Sequence, residues 1–95
     1  MSVKAVQRTD VDATIERLLA LDESSRQQYV KEHPAPDWAG FATVLTERVR
    51  EEVRVDTARA HRLADLAVTV AEATGNKLAL AKSLRARANA FYALD

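Results

Sequence analysis

Few groups in this chain could carry chemistry, and most are spaced to do none. His33 and His61 lie far apart in the 95 residues. Neither has a second histidine, a cysteine or a carboxylate at a spacing that closes a metal site; His61 and Asp65, one helical turn apart, offer two ligands at most. Both therefore read as surface or boundary histidines, and no metal or cofactor is expected. Ser24 and Ser25 fall in the first turn of a predicted helix, where hydroxyls satisfy free backbone donors, and no base accompanies them. Glu51 and Glu52, like Asp22 and Glu23, are adjacent on helices and so do not face each other, which rules out a working carboxylate pair. Gly40 and Gly75 are isolated, so there is no phosphate-cradling loop. Trp38 reads as a core anchor. No catalytic residue emerges, and the chain is not expected to be an enzyme.

One row stands apart. Lys82, Arg85, Asn89 and Tyr92 recur at spacings of three, four and three, which puts two cations, an amide and a phenol on one face of a helix. Positioning that row requires a helical scaffold, and the composition supplies one. The apolar fraction is 47%, with two glycines and two prolines, and good helix formers dominate. The length allows one domain. The absence of cysteine removes disulfides and thiolate metal sites. Apolar runs are too short to span a bilayer, and MSVKAVQRTD lacks the apolar core of a signal peptide, so a cytoplasmic location is expected with no membrane partner. Fourteen Lys/Arg balance fourteen Asp/Glu, which is not the basic footprint of a nucleic-acid binder.

Periodicity predicts five helices and an all-α fold. Residues 1–8 have no clear period and read as a flexible N-terminus. Thr9 is placed to cap a first short helix carrying Val11, Ile15, Leu18 and Leu19 inward. Asp22 caps a second, Glu23 to about Glu32, with Tyr29 and Val30 inward; it stops where His33 precedes Pro34. A third starts near Pro36 or Asp37 and buries Trp38, Phe41, Ala42, Leu45, Val49 and Val53, with Glu47, Arg48, Arg50, Glu51 and Glu52 on its charged side. A turn near 54–57 is expected, although the apolar phase runs on and leaves a single helix over 37–74 open. The fourth helix, about 57–74, aligns Ala60, Leu63, Ala64, Ala67, Val70, Ala71 and Thr74. Gly75 suits the left-handed position that closes a helix. Asn76 caps the fifth, about 77–94, with Leu80, Leu84, Ala88, Phe91 and Leu94, or a near neighbour of each, inward.

The series Leu84, Ala88, Asn89, Phe91 and Leu94, with the small residues Ala60, Ala64 and Ala67 before it, resembles a tetratricopeptide (TPR) repeat. In that family the first helix of each ~34-residue unit carries a large apolar residue, a small one and an aromatic at fixed offsets. Arg87 and Asp95 depart from the pattern, and about one and a half repeats are visible. The stretch LLALDESSRQQYVKEHP is similar to the helical lead-in of large bacterial TPR proteins. The resemblance implies right-handed stacking of helical hairpins, with 9–55 as a helical cap and 56–95 as a helix pair whose last repeat is incomplete. It also implies a protein-interaction or scaffold module, the N-terminal part of a larger protein. Lys82, Arg85, Asn89 and Tyr92 would then line a peptide-binding groove, Arg85 and Asn89 resembling half of a clamp for a peptide's terminal carboxylate. The other reading is a self-contained homodimeric adaptor with Leu84, Ala88, Phe91 and Leu94 as its permanent interface. Either way the partner is a protein or peptide, and the isolated chain is expected to pair with itself.

Overall fold

The computed structural model describes the backbone of residues 3–33 and 37–94 and the side chains of 11–33 and 37–92. The protein is all-α. Five helices follow one another: α1 (Val3–Leu19), α2 (Glu23–Glu32), α3 (Trp38–Glu52), α4 (Thr57–Thr74) and α5 (Lys77–Leu94), with no strand among the described residues.

Side-chain capping marks most of the starts. Asp22 accepts the Ser25 amide at 2.8 Å, Asp37 the Gly40 amide at 3.0 Å, Asp56 the Arg59 amide at 3.0 Å and Asn76 the Ala79 amide at 2.9 Å. Each satisfies one backbone donor that a helix start leaves open. The helix α1 begins at Val3, so Thr9 stands inside it and not at its start, and residues 3–8, expected to be without regular structure, are helical. The C-terminal end of α1 is closed partly from outside: the Arg26 guanidinium donates to the carbonyls of Leu18 and Leu19 at 2.8 and 3.3 Å, and the Leu18 carbonyl also accepts the Leu21 amide at 3.1 Å, where a helix end has no intrahelical donors to offer.

The expected turn between the third and fourth helices is present. Val53–Val55 turn and Asp56 starts α4, so 37–74 is two helices. Gly75 closes α4 at φ 71°, its amide shared between the carbonyls of Ala71 and Glu72. The Pro34-Ala35-Pro36 step lies outside the described residues.

α4 is the element that the other four all touch. A helix in that position must be apolar nearly all round, and Leu66 to Ala71 are buried without interruption. Of the expected stripe, Ala60, Leu63, Ala64, Ala67, Val70 and Ala71 are buried and Thr74 is half-buried; Leu66, Val68 and Thr69 join them, with α2 packed against the helix as well. Trp38, Phe41, Ala42, Leu45 and Val49 of α3 are buried as expected and Val53 is half-buried, with Ile15, Leu18 and Val30 completing one continuous core drawn from all five helices. Trp38 is an anchor within it. Its ring meets Phe41 edge to face at 5.3 Å and its Nε1–H donates to the His33 carbonyl.

The inward face of α5 is corrected. Ala79, Ser83, Ala86 and Ala90 are buried, whereas Leu84, Ala88 and Phe91 are exposed and Leu80 is half-buried. The buried stripe consists of small side chains because α5 packs on α4 and α3 together, and small residues allow that approach. The larger residues one step along are left facing out. Leu94, expected inward with them, has its side chain outside the described residues. Ion pairs tie the periphery: Arg48 to Asp12 at 2.7 Å, and Arg59 to both Glu16 at 2.6 Å and Glu52 at 3.2 Å. The Glu16 hydrogen bond is the main cause that raises the Arg59 guanidinium above its ordinary value.

Candidate functional site

A groove of about 900 Å³ runs between α3, from Thr43 on, and the Lys82–Tyr92 part of α5, with Thr57 at the start of α4 also in its lining. Its two walls are helical rows. From α3 come Thr43, Glu47, Arg50 and Arg54, the last just past the helix end; from α5 come Lys82, Arg85, Asn89 and Tyr92. In each row the spacing of three and four keeps the side chains on one face. The floor is apolar and small, with Val49 and Val53 on one side and Ala86 and Ala90 on the other.

The structure thus brings all four residues of the sequence row into one groove and sets two arginines opposite them. In the sequence Arg50 reads only as part of a mixed-sign solvated face, and nothing singles out Arg54. The signal that could have found them is their spacing, Arg50 to Arg54 at one turn, on the flank of α3 away from Arg48 and Glu52.

Four cations against the single carboxylate of Glu47 leave the groove with three positive charges in excess. Among the described residues, Arg50, Arg54, Lys82 and Arg85 make no ion pair and no hydrogen bond, unlike Arg48, Arg59 and Arg87. Their donors point into water, and converging like charges in a concave site concentrate a positive potential there. The threonines of the lining are occupied locally: Thr43, Thr46 and Thr57 donate to the carbonyls of Ala39, Thr43 and Val53. Donors available to a ligand therefore come from the guanidinium forks of Arg50 on α3 and Arg54 just past it, the ammonium and guanidinium on α5 and the Asn89 amide. That set suits carboxylates, which guanidinium groups hold by paired hydrogen bonds.

The histidines are placed elsewhere. His33 is exposed at the end of α2, with its ring stacked on Tyr29 at 4.0 Å. His61 is half-buried on α4. Its Nδ1 is 3.6 Å from Asp65, its ring meets Phe91 edge to face at 4.4 Å, and its Nε2 is buried without a partner among the described residues. Arg87 reaches the same Asp65 at 4.0 Å. No group of three potential metal ligands occurs among the described residues, and no helix among them is long and apolar enough to cross a membrane.

On the other flank of α5 lies a smaller hollow of about 460 Å³ beside Leu80 and Leu84, walled by Val68 and Glu72 of α4 and by Glu23 and Arg26 of α2. The two hollows share no lining residue and lie on different flanks of α5. Comparison of the chain with protein-family models, with curated proteins and with solved structures finds no match.

Proposed function

We propose that this chain is a protein-interaction module of the cytoplasm, part of a scaffold, whose α3–α5 groove holds an acidic segment of a partner protein. The observation that carries the reading is the convergence of Arg50, Arg54, Lys82 and Arg85 on one groove with no carboxylate among the described residues paired to any of them. Unpaired cations gathered in a concavity are costly to the fold through mutual repulsion and useful chiefly to a ligand of opposite charge. The resemblance of α5 to a TPR helix supports the same reading, since it assigns Lys82, Arg85, Asn89 and Tyr92 to a peptide groove.

In this account Arg50 and Arg54 take side-chain carboxylates of the bound segment, Lys82 supplies a mobile point charge, and Asn89 donates its amide beside Arg85. Tyr92 offers a ring edge at the open end. The floor of Val49, Val53, Ala86 and Ala90 leaves room for backbone and small side chains. The work is binding, with no bond made or broken.

The test is a fluorescence-anisotropy titration with a glutamate-rich peptide, run beside a lysine-rich peptide of equal length. The glutamate peptide should bind, with affinity falling as salt rises. Arg50→Ala combined with Lys82→Ala should weaken it by at least about tenfold, the scale of losing two charge-assisted contacts. Equal binding of both peptides, or no effect of the double change, would overturn the reading.

A further inference from the structure

Among the described residues, the exposed large hydrophobic side chains are Val55, Leu78, Leu84, Phe91 and Tyr92; all but Val55 are on α5. They are not scattered. Ala81, Leu84, Ala88 and Phe91, all exposed, follow one another at spacings of three, four and three. That is the 3.5-residue period of a helix seam, and along it small and large side chains alternate. Leu78 and Tyr92 flank the seam on one side, Leu80 and Arg87 on the other.

We propose that this face binds a second copy of the same chain, α5 against α5 in antiparallel orientation, with Ala81 opposite the second copy's Phe91 and Leu84 opposite the second copy's Ala88. A two-fold axis requires a surface that is complementary to itself. The small–large alternation meets that requirement in one register: each large residue meets a small one, four times over, and interdigitates as packed helices do. The same register brings Leu78 next to the second copy's Tyr92. It therefore covers all four exposed large hydrophobics of α5 at once. A parallel pairing in register would oppose Phe91 to Phe91 and Ala88 to Ala88, giving a clash and a void.

The area is sufficient for a reversible dimer. Phe91 is 53% exposed, Tyr92 77%, Leu78 66% and Leu84 41%, roughly 450 Å² of accessible side chain per copy on the usual areas of such residues. Joining two copies removes at most roughly 900 Å², below the standard interface size and in the range of weak, reversible association. Phe91 is held for the contact by its edge-to-face packing on His61. Charge opposes the contact. The axis brings Arg85 near the second copy's Arg85 and Arg87 near the second copy's Arg87. Asp65, at 4.0 Å, offsets only the latter. Salt therefore strengthens this dimer, opposite to its effect on acidic-peptide binding, and this distinguishes the two readings although Tyr92 belongs to both surfaces.

Sedimentation equilibrium over a concentration series should show mass rising from 10.5 kDa toward twice that value, further at high salt. Ala88→Gln, an exposed neutral change that leaves the core alone but fills the space taken by the second copy's Leu84, should raise the dissociation constant by at least about tenfold, while Lys82→Ala should not. Register is read by disulfide trapping, the natural chain having no cysteine. Ala81→Cys mixed with Phe91→Cys should cross-link. Ala81→Cys alone should not, because ten residues at the helical rise put the two sites about 15 Å apart along the axis. A monomer at every concentration, an association weakened by salt, or ready self-cross-linking of Ala81→Cys would each overturn the proposal.

Discussion

At the scale of single residues, the groove is defined by which charges have partners. Arg48 and Arg59 are spent on Asp12, Glu16 and Glu52, whereas Arg50, two positions past Arg48 and hence about 200° round the helix, faces the groove. Glu47 is the one carboxylate of the lining. Removing its charge with Glu47→Gln should raise affinity for a glutamate-rich peptide by about two- to fivefold, the range of an exposed charge interaction, measured by the same anisotropy titration. Outside the groove, the Asp22 carboxyl is held below its ordinary value of 3.8, first by the Ser25 amide it accepts and then by the Ser25 hydroxyl. A depressed folded-state value means that the ionised cap contributes stability above the ordinary value and loses it as pH falls through the folded one. Thermal melts from about pH 5 down to about pH 2 should therefore show the natural chain losing stability faster than Asp22→Asn, which keeps the acceptor without titrating. Parallel curves would contradict the assigned role.

At the scale of elements, α4 carries the fold. Leu66 is fully buried although the periodicity of its helix put it off the apolar stripe, so Leu66→Ala should cost about 2–5 kcal/mol by denaturant titration. Leu84→Ala, at a site 41% exposed, should cost far less in the monomer. Gly75 makes the opposite kind of point. A methyl group there would meet nothing within 4 Å, yet φ is +71°. Gly75→Ala should therefore destabilise by about 1–2 kcal/mol through backbone strain alone. The helices themselves were legible from sequence, because caps such as Asp22 and Asn76 and the Gly75 stop act locally. The start of α1 was not, since Val3 to Arg8 carry no apolar period to mark it. Nor was the burial of Leu66, Val68 and Thr69, which depends on α2 returning to cover them. The face of α5 differs from the expected one by one step for a related reason: large residues suggest an inward stripe, but alanines and Ser83 are what let α5 lie close to two helices at once.

At the scale of the whole molecule, α5 presents two kinds of exposed surface. One flank joins α3 to form a basic groove; the outer edge presents an alternating apolar seam. The row Lys82, Arg85, Asn89 and Tyr92 was legible because it lies on one helix. Its opposing wall was not, because only the packing of α3 beside α5 brings Arg50 and Arg54 across from it. The two surfaces predict opposite salt responses, and the neutral Ala88→Gln variant, which puts no carboxylate beside Arg85, isolates the groove as a monomer. The most direct test of the central claim is an amide-shift titration of that isotope-labelled monomer with the glutamate-rich peptide. Shifts concentrated at Arg50, Arg54, Lys82, Arg85 and Asn89 are the result predicted by a peptide-holding groove. Shifts confined to the Ala81–Leu84 edge and the hollow beside Glu72, or none at saturating peptide, would contradict it.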